Sequence, residues 1–273
     1  MPAREDKAAT RAAPMIPDQR REQILRQLRR HQVLSVHQLT EMFDCSHMTV
    51  RRDIAVLEEA GQAYSVPGGV RIASQLSSEP SHQLKAVTEQ AQKQAMARRA
   101  AELLHPDMTV YLDAGTTTLS IVPHIVALTG MTVVTNDFPI VLALMSATHV
   151  NVIHTGGLLD HRNESSVGAL AAATLRQIAT DIAFMSTSSW DLQRGMTTPS
   201  APKVEVKRAA MDAASRTVLV ATSSKYGTFG TYKIVGLDRF DLIISDDGLA
   251  DAAASRIRET GVDLALTGGP LDT

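Results

Sequence analysis

The clearest pattern in the sequence is the spacing of apolar residues in the stretch that begins at Ser46. Val50, Ile54 and Leu57 recur at i, i+4 and i+7, which places them on one face of a helix. The Ser46 hydroxyl can cap the start of that helix, and Gly61 can end it in a left-handed conformation. The pattern predicts a helix that packs through its apolar face and presents polar side chains on the other.

A second amphipathic stretch, at residues 35–43, precedes this helix, and only Asp44 and Cys45 separate the two. Two helices joined by so short a turn form a helix-turn-helix, whose second helix enters the major groove of DNA. Residues 64–72 alternate apolar positions on both sides of Pro67-Gly68-Gly69, which predicts a small β-hairpin, or wing.

The polar face of the second helix carries Thr49, Arg51 and Arg52. An arginine can bind guanine or a phosphate with two hydrogen bonds, and a threonine can contact a base edge or a phosphate oxygen. The alternative is a solvated face on which Arg51 or Arg52 pairs with Asp53 or Glu59.

Beyond Pro106 the pattern changes to short β-branched runs that alternate with helical segments. Strands are predicted at residues 109–112, 131–135, 150–153, 182–185, 217–221 and 242–245, and helices at residues 118–128, 138–146, 167–177, 203–214 and 249–259. Strands separated by helices predict a parallel sheet that is buried on both faces. In such sheets a ligand binds beyond the carboxyl ends of the strands.

Small and hydroxyl-bearing residues recur after four of these strands, at residues 113–118, 135–137, 155–157 and 186–191. The first of these loops has a glycine and three threonines before a predicted helix start, which suits a phosphate or another anion. Its alternative is an ordinary threonine-capped turn. Lys207 and Lys225 could neutralise a bound anion, although isolated lysines are more often only solvated.

Composition and charge agree with a DNA-binding first segment. The 273-residue chain has 44% hydrophobic and 21% charged residues and a formal net charge of −2. Residues 1–75 hold 11 Lys/Arg against 9 Asp/Glu, so the basic charge is concentrated where phosphates would be met. The single cysteine, Cys45, excludes an internal disulfide and, with no signal peptide or membrane-length apolar run, predicts a cytoplasmic protein.

The motifs resemble those of the DeoR family of bacterial transcriptional regulators. The resemblance rests on Met48–Ile54, Leu57-Glu58 and the Pro67-Gly68-Gly69 turn in the first segment. In the second it rests on residues 113–118, Thr135-Asn136, Gly156-Gly157, Val167-Gly168, 181–184, 195–198, 207–209 and 223–227. Three positions depart from the family pattern: Pro67 replaces the usual histidine, residues 186–189 lack the common glycine, and Thr222 replaces a frequent aspartate.

The resemblance implies an N-terminal winged helix-turn-helix followed by a larger α/β sensor domain related to ribose-5-phosphate isomerases, with a mostly parallel sheet. Such domains typically bind phosphorylated sugar metabolites. The predicted organisation is a disordered tail at residues 1–16, the winged helix-turn-helix at 17–73, a linker and spacer helix at 74–104, and the effector-sensing domain at 105–273. The spacer helix, predicted at residues 82–104, would be the lever between the two halves.

The predicted function is sequence-specific DNA binding, as a repressor of a carbohydrate-utilisation operon controlled by a small phosphorylated sugar or sugar acid. The predicted partners are a double-stranded DNA operator, that effector and further copies of the chain in a dimer or tetramer, with no membrane, metal or cofactor. The predicted DNA-binding residues are Ser46, His47, Thr49, Arg51, Arg52 and Arg71. The predicted effector-binding residues are Asp113, Gly115, Thr116, Thr117, Thr118, Asn136, Gly156, Gly157, Lys207 and Lys225.

A sugar-phosphate isomerase-like enzyme is the alternative function. Such an isomerisation needs a positioned carboxylate base, and Asp113, Asp137 and Asp191 are candidates by position. The sequence contains no paired carboxylates at these positions, and an enzyme would have no use for the helix-turn-helix. Non-enzymatic binding is therefore the prediction.

Overall fold

The computed structural model describes residues 15–268, so residues 1–14 of the predicted tail and residues 269–273 lie outside the described residues. The helices are α1 (Pro17–His31), α2 (Val36–Phe43), α3 (His47–Glu59), α4 (His82–Val87), α5 (Gln90–Ala101), α6 (Thr116–Leu119), α7 (Val122–Val126), α8 (Phe138–Leu144), α9 (Ala169–Leu175), α10 (Ala201–Asp212) and α11 (Asp251–Glu259).

The strands are short, and several of them belong to small sheets outside the main one. They are β1 (Val33–Ser35), β2 (Ala63–Val66), β3 (Gly69–Ile72), β4 (Ser74–Gln75), β5 (Thr109–Leu112), β6 (Thr132–Thr135), β7 (Asn151–His154), β8 (Leu158–Asp160), β9 (Ser165–Val167), β10 (Thr180–Met185), β11 (Ser189–Asp191), β12 (Gly195–Thr198), β13 (Ala214–Val220), β14 (Thr228–Phe229), β15 (Tyr232–Val235), β16 (Leu242–Ser245) and β17 (Asp263–Leu266).

The first domain is a winged helix-turn-helix, as the sequence predicted. Helices α1, α2 and α3 enclose a core that includes Leu28, Leu39 and Val50, all of them fully buried. The Ser46 hydroxyl caps α3 by accepting a hydrogen bond from the Thr49 amide at 3.2 Å. The wing hairpin β2–β3 gains a third strand, β1, which the sequence pattern did not reveal.

The connection between the domains differs from the predicted spacer helix at residues 82–104. It contains two helices, α4 and α5, with a break at Thr88 and Glu89. Glu89 adopts a left-handed conformation with φ of 53°, and Lys93 Nζ donates to the Thr88 carbonyl at 2.7 Å. The prediction of a continuous helix was wrong. The buried Lys93 ammonium donates to carbonyl groups that would accept hydrogen bonds from backbone amides in a continuous helix.

The second domain is built on a seven-stranded parallel sheet in the order β17-β16-β13-β10-β5-β6-β7. All six predicted strands belong to it, and β17 is the strand that the prediction missed. Its side chains alternate between two cores. Tyr111 and Met185 face the core under α9, α10 and α11, while Val110 and Phe184 face the core under α5, α7 and α8.

The helix predicted at residues 118–128 is wrong in its continuity, because the chain forms the short helices α6 and α7 instead. Pro123 lies in the first turn of α7. Proline has no amide hydrogen and its ring clashes with the carbonyl four residues earlier, so a single helix cannot run through it undisturbed.

Two smaller units, the sheet β11-β12-β15 and the hairpin β8–β9, flank the carboxyl edge of the main sheet.

The winged helix-turn-helix is docked on the second domain through polar and aromatic contacts. The Tyr64 and Tyr226 rings meet edge to face with centroids 5.3 Å apart. The Tyr226 hydroxyl donates to Glu58 Oε1 of α3 at 3.2 Å, and Arg194 Nη2 donates to the Gly61 carbonyl at 3.2 Å. Strand β4, which directly follows the wing, pairs with β14 of the second domain.

Within residues 15–268, no helix is long and apolar enough to cross a membrane.

Candidate DNA-binding face and effector pocket

The exposed face of α3 carries the side chains that the sequence assigned to DNA. His47, Arg51 and Arg52 are exposed, and Thr49 is half-buried. The Ser46 hydroxyl lies 2.9 Å from the Thr49 hydroxyl, which fixes both at the start of the helix. This end of α3 is the part of a recognition helix that contacts base edges.

The alternative pairing of the two α3 arginines with acidic neighbours is wrong. Asp53 instead accepts a hydrogen bond from Arg20 Nη2 at 3.2 Å, and Glu59 lies 3.8 Å from Arg256 Nη2. Within the described part of the chain, Arg51 and Arg52 form no ion pair. Both guanidinium groups are therefore available to an incoming phosphate or base.

Arg71 does not lie on that face, so its predicted contact with DNA is not supported by the geometry. Its guanidinium is half-buried and donates to the Ser224 carbonyl at 3.1 Å and to the Tyr226 carbonyl. Burial lowers the pKa of Arg71 from its ordinary value. The side chain joins the wing to the second domain, which sequence spacing alone could not reveal.

A polar pocket lies at the carboxyl edge of the parallel sheet, where strands β5, β6 and β10 end. Seven of the ten residues predicted to bind an effector line it: Asp113, Gly115, Thr116, Thr117, Asn136, Lys207 and Lys225. The other lining residues that matter below are Glu79, Lys85, Ser186, Thr187, Ser188 and Lys203.

Three predicted effector residues are not among those that line the pocket. The Thr118 hydroxyl is fully buried and donates to the carbonyls of Asp113 and Gly115, so it stabilises the loop. Gly156 and Gly157 follow the edge strand β7 and are exposed. Their position at a strand end was predicted correctly, but the edge strand lies too far out in the sheet to bring them to the pocket.

Asp113 and Lys207 form a buried ion pair at the floor of the pocket. The Lys207 ammonium contacts the Asp113 carboxylate and donates to the Ser186 carbonyl at 2.8 Å. Asp113 Oδ2 also accepts hydrogen bonds from the Ser186 amide at 2.9 Å and hydroxyl at 3.0 Å. Asp113 Oδ1 is buried and has no partner among the described residues.

The glycine-threonine loop is held by side chains from the end of β6. Asn136 Oδ1 accepts from the Ala114 amide at 3.1 Å, and Asp137 Oδ2 accepts from the Gly115 amide at 3.0 Å. Burial raises the pKa of Asp137 to about 7, against the opposing effect of the amides that it binds. Thr117 lines the pocket, and its hydroxyl forms no hydrogen bond within the part of the chain that the structure describes, so it is available to a ligand.

Four lysines converge on the pocket from three parts of the chain: Lys85 from α4, Lys203 and Lys207 from α10, and Lys225 from the turn after β13. Lys225 Nζ donates to the Thr187 carbonyl at 2.9 Å. Burial is the main cause that lowers the pKa of Lys225, to about 8, and it also lowers the pKa of Lys85. Four ammonium groups in one small pocket are suited to an anion.

Glu79, Lys85 and Lys203 were missed by the sequence analysis. Lys203 precedes Lys207 by four residues, which places both on one face of α10, so this spacing could have revealed it. Glu79 and Lys85 belong to the connection between the domains, where no local pattern indicates a pocket.

In residues 15–268 no cluster of His, Cys, Asp or Glu could hold a metal ion.

A helix-turn-helix with an unpaired basic face, joined to an α/β domain with a cationic pocket, defines a DNA-binding regulator with a sensor domain. Comparison with known families agrees at both ends of the chain: residues 20–76 match the DeoR-like helix-turn-helix domain, and residues 88–247 match the DeoR C terminal sensor domain. The protein belongs to the DeoR family of transcriptional regulators.

Curated relatives cover nearly the whole chain. An HTH-type transcriptional regulator of Haemophilus influenzae is 45% identical over 92% of this chain and 98% of its own length. The regulator YgbI of Escherichia coli K12 is 42% identical over the same shares. A putative aga operon transcriptional repressor of E. coli O157:H7 is 33% identical over 92% of this chain and 94% of its own.

Solved structures that resemble the chain include ribose-5-phosphate isomerases. The isomerase from Methanocaldococcus jannaschii covers 49% of this chain and 53% of its own, with 15% identity and a TM-score of 0.36. RipA from Yersinia pestis covers 62% of this chain and 48% of its own, with 12% identity and a TM-score of 0.41.

Proposed function

We propose that the protein is a cytoplasmic repressor of a carbohydrate-utilisation operon and that a small phosphorylated sugar or sugar acid controls it. The observation that carries this proposal is the pocket at the sheet edge, where four lysines face two carboxylates, a formal net charge of +2. A phosphate group carries about −1.5 to −2 charges at neutral pH, so it matches this excess. The putative aga operon transcriptional repressor among the relatives supports repression of an operon as the function.

The pocket also has unsatisfied polar groups that suit the hydroxyl groups of a sugar. Asp113 Oδ1 is buried without a partner in residues 15–268, and a buried acceptor left unpaired costs about 1–3 kcal/mol. A ligand hydroxyl that donates to this oxygen would recover that free energy. The Thr117 hydroxyl can serve a second ligand group, so the pocket combines anion binding with hydroxyl recognition.

Each of the three carboxylates considered as isomerase bases already has a partner, and of the three only Asp113 lines the pocket. Asp113 pairs with Lys207, Asp137 accepts the Ile140 amide at 2.8 Å at the start of α8, and Asp191 lies 2.9 Å from Arg194 Nη1. A general base must be within reach of the proton that it abstracts. We therefore propose that the pocket binds its ligand without converting it, as expected of a chain whose relatives are regulators.

Thermal-shift screening of sugars, sugar phosphates and sugar acids tests the proposed effector class. We expect phosphorylated ligands to raise the melting temperature of the wild-type protein. A Thr117→Glu substitution should abolish that increase, because it places a negative charge beside the bound anion. The matched control is Thr117→Gln, which has the same size without the charge and should retain part of the response.

An uncharged sugar that stabilised the wild type and Thr117→Glu equally would contradict the anion pocket. Binding of the operator by α3 would be unaffected by that result, since it depends on a different surface.

We also propose that the protein forms a dimer or tetramer through its sensor domain. Strand β7 is the edge of the seven-stranded sheet, and an unpaired edge strand readily pairs with another chain. Apolar side chains near this edge are exposed: Leu142, Met145, Val152, Ile153, Leu158 and Leu159. Exposed apolar side chains on α8, β7 and β8 support an interface near this edge, and dimeric helix-turn-helix proteins read two half-sites at once.

Light scattering on a Leu142→Lys, Leu158→Lys variant tests this assembly. The two side chains are 66% and 65% exposed, so the protomer should fold normally while the association is lost. Operator affinity should fall with it, because one winged helix-turn-helix buries little DNA. Tyr232→Lys, at an exposed position on β15, is the control and should remain oligomeric. A wild-type protein that is monomeric at micromolar concentration would contradict the proposal.

A further inference from the structure

A carboxylate from the connection between the domains lies inside the pocket. Glu79 stands between β4 and α4 in the chain, yet its side chain is only 12% exposed. Its Oε2 lies 2.7 Å from Lys203 Nζ and 3.5 Å from Lys85 Nζ. Its Oε1 accepts hydrogen bonds from the Ser188 hydroxyl at 3.1 Å and the Thr198 hydroxyl at 3.3 Å. Two ammonium groups and two hydroxyls therefore converge on one side chain.

The carboxylate is an internal anion at any physiological pH. Burial alone would raise the pKa of Glu79, but the charges of Lys203 and Lys85 outweigh that effect and lower the pKa to about 2. The residues before it, Ser77 and Ser78, are exposed. Of residues 77–79, only Glu79 thus reaches the pocket with its side chain.

The space left beside Glu79 is too small for a sugar phosphate. The pocket retains about 40 Å³, which is room for about three water molecules at 10–15 Å³ each. Sites for small organic ligands enclose about 300–1,000 Å³. A ligand of the proposed class can enter only if a side chain leaves. Glu79 and Lys85 are the lining residues that come from the connection between the domains, and Glu79 is the one whose negative charge competes with an anionic ligand.

The charge of the pocket also favours replacement of the Glu79 carboxylate by a phosphate group. With Glu79 in place the pocket residues have a formal charge of +2, and without it they have +3. A phosphate monoester offers three acceptor oxygens and a second negative charge, so it satisfies two ammonium and two hydroxyl donors better than a carboxylate does.

We propose that Glu79 occupies the subsite for the phosphate of the effector and that the effector binds by displacing it. The inference rests on the proposed function, since it assigns the anionic group of the effector to a particular part of that pocket. Lys85, Lys203, Ser188 and Thr198 are then the phosphate-binding residues, and Glu79 is their occupant in the ligand-free protein.

Displacement of Glu79 would release the segment that leads to the DNA-binding domain. The Leu76 amide donates to the Phe229 carbonyl at 2.8 Å, and β4 before it pairs with β14. Residues 76–81 are therefore fixed at one end by this pairing and at the other by the His82 amide, which donates to the Arg162 carbonyl at 2.9 Å, so Glu79 is the contact that holds the middle of the segment. A ligand that removes the middle contact has different affinities for the two states, which is the requirement for a switch.

Titration calorimetry with inorganic phosphate on the full chain tests the competition. If Glu79 fills the subsite for about 90% of the time, its removal raises phosphate affinity about tenfold, because the competent fraction rises from a tenth to all of the protein. We expect this gain for Glu79→Ala and a smaller one for the isosteric Glu79→Gln, which also serves if the alanine variant fails to fold. Lys203→Ala should abolish binding.

Asp160→Asn is the matched control for charge. Asp160 Oδ2 lies 3.5 Å from Lys203 Nζ but the residue does not line the pocket, so its neutralisation removes a nearby charge without opening space. We expect a change in phosphate affinity of less than about threefold, as for a weak charge pair. In the wild type, saturating phosphate should increase amide hydrogen exchange across residues 76–81.

The outcomes separate this inference from the proposed function. Equal phosphate affinity of wild type and Glu79→Ala, with Lys203→Ala inactive, would refute displacement while leaving the anion pocket intact. Weaker binding by Glu79→Ala, an equal gain in Asp160→Asn, or unchanged exchange in the segment would also refute it. Absence of phosphate binding in all variants would refute the anion pocket itself.

Discussion

Replacing Lys207 with methionine should destabilise the protein by about 3–5 kcal/mol, because it leaves the Asp113 carboxylate buried without a counter-charge. Asp113 is 1% exposed and the Lys207 side chain is 10% exposed, so solvent cannot replace the lost partner. The substitution also removes the hydrogen bond to the Ser186 carbonyl. Equilibrium urea denaturation measures the loss.

The double variant Asp113→Asn, Lys207→Met should recover most of that stability, since it removes both charges together. Lys225→Met is a second control. Lys225 is only half-buried and donates to a single carbonyl, that of Thr187, so its loss should cost about 1 kcal/mol. A double variant as unstable as Lys207→Met alone would show that the ion pair does not explain the effect.

Arg51→Ala and Arg52→Ala should each weaken operator binding by about 1–3 kcal/mol if the arginine reads a base. The prediction follows from the exposure of both side chains on α3 and from the engagement of Asp53 and Glu59 with other arginines. Gel retardation on the promoter region of the protein's own gene measures the change. A contact with phosphate alone would weaken specific and non-specific DNA equally and reduce the salt dependence.

Arg176→Ala is the matched control, because Arg176 is an exposed arginine of the sensor domain, at the end of α9. It should leave the retardation curve unchanged. Wild-type behaviour of both α3 variants would mean that α3 does not recognise the operator.

The sequence predicted the helices and strands that are determined by the local pattern of residues. The α3 helix followed from apolar spacing and the Ser46 cap, and the six core strands followed from runs of β-branched residues. The break at Glu89 was not predictable, because it depends on Lys93, a residue that spacing alone would place on a solvated face. Within the pocket, Lys207 was found and Lys203 was missed although both lie on one face of α10.

Glu79 shows why part of the site could not be predicted. It lies in a serine- and proline-rich segment that has the composition of an exposed linker, and only the tertiary structure brings it to Lys203, 124 residues later. Arg71 is the opposite case. Its place in the wing suggested DNA, whereas the packing of the two domains gives it carbonyl partners in the sensor domain.

The contact between the wing and the turn after β13 limits how this protein could be rebuilt as a biosensor. Arg71 binds the carbonyls of Ser224 and Tyr226, and Lys225 between them lines the pocket. A hybrid that takes its helix-turn-helix from another regulator would keep the two carbonyls, which any sequence provides, but would lose the edge-to-face contact with Tyr226 unless the incoming wing carries an aromatic residue at position 64. The natural junction for such a graft therefore lies after the wing, with residue 226 changed to match the incoming residue 64.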